Sequence, residues 1–77
     1  MTEHIKKQLE AEIRQLEHEL THDLPIEIKK AASLGDLSEN AEYHMAKQRQ
    51  EFVKARFRQL ALLHAWLWPN RQAHNGL

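Results

Sequence analysis

Gly35-Asp36-Leu37-Ser38-Glu39-Asn40-Ala41-Glu42-Tyr43-His44 decides the fold of this chain. The stretch carries three carboxylates and no lysine or arginine, and it separates two long segments of helical periodicity. Gly35 is placed to end the first, because glycine takes the left-handed backbone conformation that other residues resist. Asp36-Leu37-Ser38-Glu39 matches a capping box with aspartate as the cap. The second helix is therefore expected to start at Asp36, which accepts the Glu39 amide while the Glu39 side chain reaches back.

Upstream, Ile5, Leu9, Ile13, Leu16, Leu20, Leu24 and Ile28 recur in steps of three or four and draw one stripe on a helix. Pro25 removes a backbone donor and clashes with the preceding turn, so a kink or short break is expected near 22–25. Helix then resumes to Leu34. Downstream, helix is expected to about Leu67, with two adjacent stripes. Tyr43, Ala46, Gln50, Val53, Phe57, Leu60, His64 and Leu67 form one; Ala41, Met45, Gln48, Phe52, Ala55, Gln59, Leu62 and Trp66 form the other. Together they offer a broad apolar face for the first helix. A link this short forces the helices antiparallel. The fold class is all-α: a two-helix antiparallel coiled-coil hairpin over residues 1–68, with an acidic tip at about 35–39. Residues 69–77, after Pro69-Asn70, are expected to be a disordered tail.

Bulk composition excludes several classes. Seventy-seven residues make one small domain with little core. Lys+Arg and Asp+Glu balance at eleven each, so no net field draws the chain to nucleic acid or membrane. Cysteine is absent, which removes disulfides and thiolate metal sites. The N-terminus lacks the apolar core of a signal peptide, and the run Ala61 to Trp68 is far too short to span a bilayer. A soluble cytoplasmic protein is expected. That same run is more apolar than a two-helix seam requires, and Leu62, Leu63 and Trp66 suggest self-association.

Charge is segregated along the chain. Asp36, Glu39 and Glu42 crowd the tip, whereas Lys47, Arg49, Lys54, Arg56 and Arg58 face only Glu51 along the shaft. The shaft cations either solvate an outer helix face or meet phosphates. Two readings of the tip are open from its chemistry alone. Carboxylates at a helix start can simply cap it and favour the helix dipole. They can also be hard oxygen ligands for a divalent cation, with Asn40 adding an oxygen.

The ten-residue tip, followed by Ala46-Lys47 and a basic, phenylalanine-containing helix, closely resembles the N-terminal coiled coil of the bacterial Gre transcript cleavage factors, the GreA/GreB family. Pro25 and Ala31-Ala32-Ser33-Leu34 fit the same pattern, and the resemblance covers roughly residues 5–60. It implies a hairpin that enters the secondary channel of RNA polymerase, where the 3′ end of a backtracked nascent RNA is extruded. Asp36 and Glu39 occupy the positions of the family's essential acidic pair, which helps hold a second Mg²⁺ and orient a water. The polymerase's own site then hydrolyses the RNA, so the chain is a stimulator and not itself an enzyme. Asn40, Glu42 and Tyr43 are expected to support the tip, with Tyr43 also a candidate for seam packing. Lys47, Arg49, Lys54 and Arg56 are candidate contacts to RNA or the channel wall. Gre factors usually carry a second domain of FKBP-like fold that docks at the channel mouth, and nothing after about Ala61 resembles its approach. A channel-binding inhibitor, or a degenerate fragment without cleavage activity, is the corresponding alternative.

A remote rival comes from His18-Glu19-Leu20-Thr21-His22, which matches the zinc-peptidase pattern H-E-x-x-H on a helix. It lacks a local third ligand, and Pro25 follows three residues on.

Overall fold

A computed structural model of the chain describes residues 2–69. The tail expected from residue 69 lies, from residue 70 onward, outside the described residues. The first arm is helix α1, Thr2–His18, a π turn over Glu19–Asp23, and helix α2, Leu24–Ala32. A 3₁₀ turn over Leu37–Glu39 then leads into helix α3, Ala41–Leu67. At 1.5 Å per residue, the 27 residues of α3 run for about 40 Å. Both helices of the first arm pack on α3, which makes the molecule an antiparallel hairpin.

The irregularity expected near Pro25 takes the form of the π turn. Its wide ring is closed by the Leu24 amide donating to the Glu19 carbonyl, five residues back. Two features of the sequence demand it. Pro25 has no amide and would collide with the Thr21 carbonyl in a regular helix. The apolar stripe also slips by one residue here. A strict four-three alternation from Leu9, Ile13, Leu16 and Leu20 would continue at 23, 27 and 30, but the packed residues are Leu24, Ile28 and Ala31. One wide turn absorbs the extra residue and keeps both halves of the arm facing α3.

The core is a thin line. Leu24 and Val53 are fully buried at its centre, with Leu16 and Leu60 beside them, and Leu9, Ile13, Leu20, Ile28 and Phe57 packed at the margin. On α3 the first stripe is the seam. The second stripe, Ala41 through Trp66, is exposed along its whole length, so the broad face expected from the sequence is half used. The choice is fixed by charge as well as by packing. Arg49 makes a two-pronged pair with Glu19, at 2.8 and 3.1 Å, and Arg56 approaches Glu12 at 3.5 Å. Seven residues forward on α3 meet seven residues back on the first arm, which is antiparallel coiled-coil register. His64 and Glu10, 2.8 Å apart, close the open end.

Candidate functional site at the hairpin tip

α2 ends with Ser33 as its C-terminal cap, and Gly35 then reverses the chain at φ +135°, outside the range comfortable for other residues. α3 starts later than the sequence suggests. Asp36 caps the short 3₁₀ turn instead of α3: its Oδ1 accepts from the Ser38 amide at 3.0 Å and the Ser38 hydroxyl at 2.9 Å. The expected reciprocal box with Glu39 does not form; the Glu39 amide donates to the Asp36 carbonyl at 3.3 Å.

The cap of α3 is Asn40. Its Oδ1 accepts from the Tyr43 amide at 3.0 Å, while its Nδ2 donates to the Ala31 carbonyl at 2.6 Å. One side chain therefore satisfies an orphan amide of α3 and a terminal carbonyl of α2 together. This clamps the two helix ends and leaves the 3₁₀ turn projecting between them. Asn40 supports the tip by positioning it, and its oxygen is occupied by a backbone donor. Tyr43 is half-buried with its ring edge-on to His44 at 5.8 Å, and His44 Nε2 lies 3.4 Å from the Ser38 carbonyl.

Asp36, Glu39 and Glu42 are all exposed, and all three line one open concavity with Leu34, Gly35, Asn40 and Ala41. The Ser38 hydroxyl and then the Ser38 amide hold the Asp36 carboxyl below the ordinary aspartate range. These are hard, solvated carboxylate oxygens, the donor type that Mg²⁺ takes in partnership with water. Among the described residues no group of three or more His, Asp or Glu side chains is gathered closely enough to hold a metal ion. The tip fits part of a coordination shell.

The shaft cations divide. Arg49 and Arg56 are turned onto Glu19 and Glu12, and the Arg49 guanidinium also lies 5.4 Å from the Phe52 ring. Lys47 reaches Gln50 within its own helix, and Lys54 lies 3.8 Å from Glu51. The H-E-x-x-H stretch falls on the π turn. Its histidine rings stack face to face at 4.7 Å, His22 meets the Thr21 hydroxyl, and Glu19 is committed to Arg49. No third ligand joins them among the described residues. No described helix is long and apolar enough to cross a membrane.

Residues 1–63 match the family model described as transcription elongation factor, N-terminal, of GreA and GreB. The chain belongs to this family. Relatives include transcription elongation factor GreA of Acidiphilium cryptum, 50% identical over 52 residues that make up 68% of this chain and 33% of that protein. GreA of Helicobacter hepaticus is 42% identical over 63 residues, 82% of this chain and 39% of the relative. GreA of Listeria welshimeri is 39% identical over 79 aligned positions that cover the whole chain and 49% of the relative. The chain thus spans a third to a half of the curated relatives it matches. No solved structure matches it.

Proposed function

We propose that this hairpin enters the secondary channel of bacterial RNA polymerase tip first and promotes Mg²⁺-dependent cleavage of backtracked RNA by the polymerase's own active site. The supporting observation is the tip: three exposed carboxylates around one concavity, at the end of a narrow rod whose helix ends are clamped by Asn40. Membership of the Gre family supports RNA polymerase as the partner.

In this reading Asp36 and Glu39 donate oxygens to an ion that polymerase carboxylates also hold. Such an ion supplies Lewis acidity and a more acidic bound water. The chain's own contribution is placement. Ser38 orients the Asp36 carboxylate through two hydrogen bonds, Gly35 lets the turn project, and Asn40 holds both helix ends beneath it. Glu42, in the first turn of α3, adds negative potential at the same concavity. Among the shaft cations, Lys47 is the first candidate to meet RNA or the channel wall, because Arg49, Lys54 and Arg56 each lie beside a glutamate. The site of action follows the polymerase, in the cytoplasm.

The test is RNA cleavage in stalled, backtracked elongation complexes with added protein. The unmodified chain is expected to shorten the RNA from its 3′ end, and Asp36→Asn or Glu39→Gln to abolish this without loss of polymerase binding. Binding without cleavage by the unmodified chain would make it a channel-blocking inhibitor. Failure to bind would remove the proposal altogether.

A further inference from the structure

α3 carries a second coiled-coil seam that no other described helix packs along; the Arg49 guanidinium, on the same helix, lies beside Phe52 at 5.4 Å and leaves that ring exposed. Ala41, Met45, Gln48, Phe52, Ala55, Gln59, Leu62 and Trp66 alternate steps of four and three for nearly the whole helix, and all are exposed. Phe52 is 59% exposed, Leu62 65%, Met45 68% and Trp66 81%. Single apolar residues on a surface need no explanation, but this sustained period presents knobs to a helix of the same period.

We infer that the occupant is the same face of a second copy of this chain, running antiparallel about an axis between Val53 and Lys54. In that register every layer is complementary. Ala41 of one copy lies opposite Trp66 of the other, Met45 opposite Leu62, Gln48 opposite Gln59, and Phe52 opposite Ala55; the same four layers repeat beyond the axis. Trp66 and Phe52 each meet an alanine, Met45 and Leu62 meet as two apolar chains of similar size, and the two polar positions meet each other, where amides can exchange hydrogen bonds. A parallel pairing would instead stack Trp66 on Trp66 and Phe52 on Phe52 while leaving alanine against alanine, alternately overfilled and empty.

The flanks agree. Glu51 and Arg58 lie seven residues apart on one side of the stripe, so the antiparallel register sets Glu51 of each copy near Arg58 of the other. On the opposite flank Arg49 and Arg56 would approach their counterparts, and both are already matched by Glu19 and Glu12. The self-association suggested by Leu62, Leu63 and Trp66 thereby becomes a defined interface along α3, independent of any polymerase binding.

Sedimentation equilibrium of the full chain over a range of concentrations is the first test, with twice the monomer mass expected at the upper end. Phe52→Glu should keep the helical circular dichroism of the hairpin, because Phe52 is exposed, and should return the mass to that of a monomer. Ile26→Glu, on α2 away from the stripe and 66% exposed, should leave the dimer intact. The chain has no cysteine, so orientation is read by mixing Gln48→Cys and Gln59→Cys copies with a short bis-maleimide. Cross-links between unlike copies are expected. Like copies would present their thiols about 16 Å apart along the axis and should remain unlinked. A monomer at every concentration, a dimer unaffected by Phe52→Glu, or linkage of like copies would each overturn the inference.

Discussion

Replacing Asn40 by alanine should loosen the whole hairpin, although the residue belongs to neither apolar seam. The side chain makes two bonds at a partly buried junction: it accepts from the Tyr43 amide at 3.0 Å and donates to the Ala31 carbonyl at 2.6 Å. Loss of an N-terminal cap of this type costs about 1 kcal/mol, within a range of about 0.5–2. The second bond contributes about 1 kcal/mol more, by the usual net value of an intramolecular hydrogen bond. Asn40→Ala is therefore expected to cost about 2 kcal/mol, a large share of the stability of a domain with so thin a core. Asn40→Asp separates the two roles, since it keeps the capping oxygen and loses the donor to Ala31. Urea denaturation at one fixed protein concentration gives the totals, because self-association would otherwise shift them. Hydrogen exchange gives the mechanism: the Tyr43 amide should lose protection in the alanine variant and retain it in the aspartate variant. If Asn40→Ala moved the unfolding free energy by less than about 0.3 kcal/mol and left the Tyr43 amide protected, the clamp would not hold the tip as described.

Other expectations concern the turn, the core and pH. Gly35→Ala should destabilise by about 1–2 kcal/mol in urea denaturation through backbone strain alone, because an added Cβ meets nothing within 4 Å and no clash contributes; an unchanged midpoint would remove the strain at the turn. Leu24→Ala, at the fully buried centre of the seam, should cost about 2–3 kcal/mol, near the lower end for such truncations because a two-helix core can partly collapse; a smaller loss than from Ile26→Ala on the exposed face would contradict the assigned seam. Hydrogen bonding by Arg49 holds the Glu19 carboxyl below its ordinary range. A depressed carboxylate stabilises the fold above its unfolded pKa, about 4.3, and that contribution disappears as pH falls through the lower folded value. The urea midpoint should thus decline between pH 5 and pH 3, and Glu19→Gln should flatten part of that decline; an unchanged pH profile would remove the pair from the stability of the hairpin.

Much of this arrangement could be read from residue spacing. The stripe from Leu9 to Ile28 on the first arm needs only helical periodicity, and the reversal at Gly35 needs only the conformational freedom of glycine. Two features escaped. Asp36-x-x-Glu39 and Asn40-x-x-Tyr43 are competing cap frames four residues apart, and local chemistry favours the first. The structure takes the second because Asn40 alone reaches a carbonyl on the neighbouring helix, a contact between residues nine apart that no local pattern contains. The choice between the two stripes of α3 was ambiguous for a different reason, since both have the correct period. A usable signal was present all the same: Glu12 and Glu19, like Arg49 and Arg56, are spaced by seven, and only one stripe brings those pairs together. The candidate tip residues were legible as a cluster, but their division into exposed carboxylates and a partly buried clamp was not.

The π turn at Glu19–Asp23 has a genetic consequence. Loss of one codon inside it would let the arm relax to regular helix without rotating Leu16 or Leu24 away from α3, a tolerance that neighbouring positions would not share. Pro25 would then sit in an ordinary helical interior, which it resists. The surplus residue and the imino acid therefore form a linked pair, so variants that shed one are expected to have replaced the other.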